Sequence, residues 1–485
     1  MQSVSIAAPA TSSEGDIRLA YVWLIAFVAA FGGFLFGYDW VVIGGAKPFY
    51  EAYFHLESPQ AIAWANSSAL VGCFLGSLIA GRLSDRYGRR AALGTAALVF
   101  AVSSILTGWS FSFPAFIGWR ILGGVAIGLA SNISPTYIAE ISPTRWRGRL
   151  VSLNQLALVI GILIAQLANW RIAQPVPPGA TQAMIAASWN GHFGWRWMFS
   201  AVAIPALILL ICVPLIPESP RWLMTRGRAG DAKAVLSRIG GDRYGEEQIR
   251  EIGISLKTAP GDGWRSLLSP QIRGLLLIGI VLAVVQQFSG INVLFNYAEE
   301  VYRSAGYGVS DILFNIVITG TINLVFTLVA MGLVDRLGRR ALMIFGCFGI
   351  GISHLAASYG YQMGAQGAGI LALTLSAIGC YAMSLAPVTW VLISEIFPNA
   401  VRASAVSVSV AALWVASFIL TYTFPFLNSA LGTSGTFLIY GGICLAGGLF
   451  VIWKVPETKG RSLETMTMRS AGLEPGALFG AVRDQ

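Results

Sequence analysis

A carboxylate in the middle of an apolar run is expensive to bury, and Asp39 stands in such a run, FLFGYDWVVIGG. Arg120 opens another, RILGGVAIGLA. Paired with Arg120, Asp39 stays charged; parted from it in an apolar cavity, it takes up a proton. That swing can couple protonation to a change of shape, whereas a fixed pair is only a buried ion pair. The other polar residues inside apolar runs are amides: Gln286, Gln287, Asn292 and Asn323, with Gln155 and Gln166 upstream. An amide both donates and accepts, so a cluster of them suits a neutral polyhydroxylated ligand better than an ion. Gln286, Gln287 and Asn292 fall at i, i+1 and i+6, and a helix break near Ser289-Gly290 would turn them toward one cavity. Trp390 and Trp414, with Phe288, Phe295 and Tyr297, offer flat faces to the C–H surface of a sugar ring. Each aromatic alone reads as packing; the set beside the amides reads as a binding site.

A second class of charged residue lies at the ends of the apolar runs. DRxGRR occurs at Asp85 to Arg90 and again at Asp335 to Arg340. Asp85 with Arg89 and Arg90, and Asp335 with Arg339 and Arg340, can tie short loops to helix ends and to lipid headgroups. Glu140 with Arg147, Glu395 with Arg402 and Glu218 with Arg221 make similar pairs. Together they are expected to form a cytoplasmic latch that holds an outward-facing state and breaks as a cavity opens inward; simple topology anchoring is the plainer alternative.

These residues need helices to hold them. The 485-residue chain is 55% hydrophobic and 11% charged, too few charges to cover a water-facing surface. Apolar stretches centre on 21–45, 61–81, 91–110, 114–138, 149–169, 197–217, 272–297, 312–334, 341–360, 367–393, 402–426 and 435–454. Each can cross a hydrocarbon core as a helix, the form that satisfies its own backbone in lipid; strands of a barrel would alternate instead. The expected fold is therefore an all-α membrane protein of twelve transmembrane helices.

Three landmarks recur in order. GRLSDRYGRR at 81–90 answers MGLVDRLGRR at 331–340, YIAEISPTRWRG at 137–148 answers LISEIFPNAVRA at 392–403, and PESPR at 217–221 answers PETKG at 456–460. Three pairs in register argue for two related six-helix bundles, which can rock about a central site. The division expected is a cytoplasmic tail at 1–20, a bundle at 21–217, a cytoplasmic linker with short helices at 218–271, a bundle at 272–455 and a cytoplasmic tail at 456–485.

The formal charge of +9 comes from arginines clustered between apolar runs, the positive-inside distribution. It places both termini in the cytoplasm and the chain in the inner (plasma) membrane, with lipid and not nucleic acid as the basic residues' partner. Five cysteines lack metal-ligand spacing, three histidines form no HExxH, and no GxxxxGK loop occurs, so no metal, no cofactor and no ATP hydrolysis are expected. No nucleophile with a base emerges, so an enzyme is not expected. The run from Tyr21 is too long for a cleaved signal peptide and stays in the chain.

In combination, GRLSDRYGRR, the run from Arg120 to Gly148, LNQLALVIGILIAQ, PESPRWL, QQFSGINVLFNYA, DRLGRR, WVLISEIFPNAVR and PETKG resemble the sugar porters of the major facilitator superfamily, over most of 20–465. The resemblance implies a carrier that moves a monosaccharide by alternating access, working as a monomer. It implies Gln155, Gln286, Gln287, Asn292, Asn323 and Trp390 at sugar-binding positions, and Asp39 with Arg120 as the proton-coupling pair of the family's symporters; facilitative glucose carriers have a neutral residue where Asp39 stands. Glu140, Arg147, Glu395, Arg402, Glu218 and both DRxGRR segments match the inner charge network. There are departures. Ile162 replaces a glutamine of xylose-type symporters, Leu413 stands where relatives often have an amide, Val202 where a xylose-type symporter has an acid, and NAVRASA lacks the glycine-lysine that follows the arginine in many relatives. The reading is proton-coupled symport, with glucose ahead of xylose as substrate and facilitative uniport as the rival.

Overall fold

The computed structural model describes residues 17–177, 179–257, 267, 269–398 and 401–459. Most of the two expected tails, and the linker residues 258–266, lie outside them, and so does the side chain of Asp335. Among the described residues, eleven helices are long and apolar enough to cross a bilayer. The last runs 51 residues, but Gly432 sits at φ +67 inside it and turns the chain, so it makes two crossings and the total is twelve. We number them α1 (Leu19–Phe54), α2 (Pro59–Tyr87), α3 (Arg89–Gly108), α4 (Phe113–Ile141), α5 (Arg147–Ile172) and α6 (Asn190–Leu215) in the first half. The second half has α7 (Ile272–Asn296), α8 (Val309–Leu337), α9 (Arg339–Gln362), α10 (Ala368–Glu395), α11 (402–431) and α12 (433–454). Large apolar side chains such as Leu24, Ile204, Ile211, Leu328 and Ile352 are exposed, as a lipid-facing surface requires.

Within the first half, α2 packs on α4 and α1 on α5. Glycines set the distance. A Cβ on Gly124 would lie 1.8 Å from the Ala69 carbonyl oxygen, and one on Gly37 would lie 1.9 Å from that of Leu158. In lipid, helices gain little from hydrophobic burial against one another, and such backbone approach supplies the contact instead. Between the halves, α2 meets α11 and α5 meets α8.

Two helices essential to the site are broken. In α7 the first segment ends at Phe288, Gly290 adopts φ +78, and a second segment runs Ile291–Asn296. A Cβ on Gly290 would strike the Tyr440 ring at 2.6 Å, so both conformation and space require glycine there. In α10 the segments Ala368–Met383 and Leu385–Glu395 meet at Ser384.

The arginine-rich end explains the repeated landmarks. Gly88, at φ +98, ends α2 and α3 begins at the next residue; Gly338, at φ +90, does the same between α8 and α9. Each new helix N-terminus is covered by a carboxylate from the end of its own half. Glu218 of PESPR accepts from the backbone N–H groups of Arg89 (2.9 Å) and Arg90 (3.2 Å), and Glu457 of PETKG accepts from those of Arg339 and Arg340 (both 3.1 Å). An acidic group at a helix N-terminus satisfies free N–H groups and meets the positive end of the helix dipole. Burial acts to raise the Glu457 carboxyl, but the backbone N–H groups outweigh it and hold the group below the ordinary 4.5.

Two expectations follow. Gly124→Leu should abolish α2–α4 packing, with loss of monodisperse protein on size exclusion in detergent, whereas Gly118→Leu, which has open space, should be tolerated. Glu457→Gln should lower stability by about 1 kcal/mol at neutral pH, read as a drop in thermal midpoint. Because the folded carboxyl is held low, the difference between the parent protein and this variant should be complete above pH 4.5 and shrink as the pH falls through the lowered value.

Candidate functional site

Asp39, on α1, and Arg120, on α4, form the buried pair read from the sequence. The Arg120 Nη1 donates to both Asp39 carboxylate oxygens at 3.1 Å, and each residue is only 3% exposed. The Arg120 Nε has no hydrogen-bond partner, and its guanidinium lies 5.4 Å from the Phe199 ring centre on α6. The pair therefore has one charge of each sign, in apolar surroundings, on two helices of the same half.

The α7 break gathers the amides. Asn292, on the second segment, donates to the side-chain Oε1 of Gln287 at 2.5 Å; Gln287 donates through its Nε2 to the Gln286 Oε1 at 3.5 Å; Gln286 donates to the backbone carbonyl of Leu385 at 3.1 Å, where α10 is itself broken. The chain of amides thus spans both breaks. Trp390 is half-buried one turn beyond, on the second segment of α10. His354 of α9 holds the break open from behind: its Nε2 donates to the Ser289 carbonyl at 2.9 Å, an oxygen that no longer has a helical donor.

One amide of the first half reaches across to the second. Gln166, 1% exposed, has neither its oxygen nor its nitrogen hydrogen-bonded, and its oxygen lies where a Cβ of Gly320 on α8 would be. Asn323 is buried one turn further along α8. Trp414, on α11, packs on Phe36 and Trp40 of α1 at 5.9 and 6.0 Å between ring centres, and its indole N–H is also without a partner. Unpaired buried donors and acceptors are what a polar ligand would satisfy. Gln155 and Phe288 are half-buried. Tyr297 is committed elsewhere: its hydroxyl donates to the Thr421 carbonyl at 2.7 Å and its ring lies on Phe424.

At the arginine-rich end the expected pairs are corrected. Glu140 accepts from Arg89 (3.0 and 3.1 Å) and from the Ser219 hydroxyl, and Arg147 is exposed. Glu395 accepts from Arg339 at 3.2 Å and from the Thr458 hydroxyl at 2.6 Å, while Arg402 donates to the Phe397 carbonyl. Glu218 caps α3 rather than pairing with Arg221, which donates to the Ser255 hydroxyl at 3.5 Å. The reason is geometric: the carboxylates are drawn by helix N-termini and by the arginine that follows the glycine, so neighbours in sequence lose to neighbours across the loop. Asp85 does pair with Arg89, at 3.1 Å, and Arg340 donates to the Ile452 carbonyl. In the described structure these ties join parts of one half to each other.

Sequence reasoning missed Glu457, His354 and a buried cluster of Lys47, Glu51, Glu299 and Glu300. Glu457 had a signal in the pairing of PETKG with PESPR. His354 had none, since only the fold brings it to Ser289.

The chain matches the family model "Sugar (and other) transporter" over residues 25–469. It is 38% identical to the D-xylose-proton symporter of Escherichia coli, covering 92% of this chain and 95% of that one, and 40% identical to the glucose transport protein of Synechocystis sp., covering 94% and 98%. Among solved structures it is similar to a partially occluded inward-open form of the Escherichia coli xylose transporter, with a TM-score of 0.81 at 36% identity, covering 91% of this chain and 100% of that one. It is also similar to a proton:xylose symporter bound to 6-bromo-6-deoxy-D-glucose, with a TM-score of 0.78 at 36% identity, covering 94% of this chain and 100% of that one. With its two broken helices, its paired basic loops and these matches along nearly its whole length, the chain belongs to the sugar transporter family of the major facilitator superfamily.

Proposed function

We propose that the protein is a proton-coupled monosaccharide symporter with glucose as its preferred substrate, and that its arginine-rich end and both termini face the cytoplasm. The buried Asp39–Arg120 pair carries the reading. A carboxylate kept charged by one arginine in apolar surroundings has two stable conditions: paired and ionised, or unpaired and protonated. Rearrangement of α1 against α4 exchanges them, and a proton accompanies each exchange. Sugar hydroxyls exchange hydrogen bonds with the amide chain of α7 and with Gln166 and Asn323, while Trp390 and Trp414 face the ring's C–H surface. Ligand contacts from both halves favour their approach, which is how sugar and proton come to share one cycle.

The glucose assignment draws on the glucose transport protein among the relatives and on Ile162, which removes an amide present in xylose-type members. Uniport is favoured by one observation, Val202 in place of an acid, and uptake into vesicles with and without an imposed proton gradient separates the two readings. Asp39→Asn should abolish accumulation above the outside concentration and leave sugar exchange measurable; accumulation by this variant would remove Asp39 from the coupling. Gln287→Ala should weaken sugar affinity about tenfold, the worth of one well-made hydrogen bond to a buried group, in equilibrium binding. Unchanged affinity would remove Gln287 from the site.

A further inference from the structure

At the end opposite the arginines, α1 carries charges that symport does not use. The Lys47 side chain is 2% exposed, and its ammonium lies 2.9 Å from Glu51 Oε1 one turn along the same helix. Its other contacts cross to the second half: 2.6 Å to Glu300 Oε1 and 3.6 Å to Glu299 Oε2, on the helix Ala298–Ser304 that continues from α7. Arg303 holds Glu299 from the solvent side. Tyr50 and Tyr297 are buried near the same groups, and Lys47 lies 5.9 Å from the Tyr297 ring centre.

The backbones also meet here. One turn before Lys47, a Cβ on Gly44 would fall 2.1 Å from the Phe295 carbonyl oxygen, so α1 touches the second segment of α7 directly. At the same end of the bundle, the Val176 N–H donates to the Ser310 hydroxyl, again between halves. Lys47 can reach Glu299 and Glu300 only while α1 and α7 are this close. The charges are also uneven: three carboxylates face two cations, of which only Lys47 is buried between the halves.

We propose that Lys47 is the ionic latch of the outer gate, a positioning residue that holds the first half against Glu299 and Glu300 and so closes the outer end during each transport cycle. The proposal rests on the alternating-access reading and on the orientation given above. The uneven charge makes the latch asymmetric. Removing Lys47 removes the cation that joins Glu51 on the first half to Glu299 and Glu300 on the second; whether the carboxylates then repel or take up protons, the attraction that closes the gate is gone. Removing Glu300 leaves Lys47 with Glu51 and Glu299, so the gate stays largely closed. In the open state Lys47 keeps Glu51, its partner on the same helix, which lowers the cost of parting.

The test reads the outer-end distance between spin labels at Glu57 on the first half and Gln362 on the second, in protein with its native cysteines replaced, without sugar or proton gradient. Symport can therefore fail while the latch stands, and the reverse. Lys47→Met should move most of the population to a longer distance, and Glu300→Gln should move little of it. Lys47→Arg should stay closed. In unlabelled protein, Lys47→Met should cut turnover several-fold while tightening sugar binding from outside, a split that simple destabilisation would not give. Should Lys47→Met fail to fold, Glu299→Gln/Glu300→Gln severs the same inter-half pairs and should open the gate. Closed distance distributions in whichever of these two variants folds would overturn the proposal, as would equal opening by Lys47→Met and Glu300→Gln.

Discussion

Everything in the proposed cycle depends on the cost of keeping Asp39 charged in apolar surroundings. Arg120 meets that cost with two 3.1 Å contacts and retains an unpaired Nε, so the pair is held by charge more than by a full set of hydrogen bonds. Such a pair is stable together and unstable apart unless a proton replaces the arginine. The rest of the fold makes the separation possible without unfolding. Glycine contacts hold α1 on α5 and α2 on α4 as two packed pairs, so α1 can shift against α4, where Asp39 meets Arg120, while the halves move where α2 meets α11 and α5 meets α8.

The two halves solve the same problem at their basic ends with the same parts. A glycine at positive φ turns one helix into the next, a glutamate from the end of the half caps the new helix, and the first arginine after the glycine reaches a second glutamate that a hydroxyl also holds. This makes each basic loop a rigid clasp within its half. In the described structure the direct charge contacts between halves lie at the other end, through Lys47, which fits a molecule closed at that end.

Much of this was legible in the residues. Apolar runs gave the helices because a spanning segment has few alternatives, and the order of DRxGRR, the glutamate-proline motifs and PESPR/PETKG gave the duplication. The break at Ser289-Gly290 was legible because glycine beside serine in a run of amides has few other uses. Pairing was less so. Glu140 chooses Arg89 over Arg147 across 51 residues of sequence, a choice made by the fold and not by spacing. The Lys47 cluster went unread because the first apolar run reads as stopping at Gly45, whereas α1 continues to Phe54 and buries its charges against a helix some 250 residues on. Charges near a span's end look like its boundary unless their partner is known.

Whether a proton moves with each sugar through the Asp39–Arg120 pair is decided by the current that follows a sugar jump on reconstituted vesicles. Adding glucose should produce a sustained inward movement of positive charge, with a reversal potential that shifts with the proton gradient. Sugar flux at a measurable rate with no accompanying charge movement at any pH would rule the coupling out.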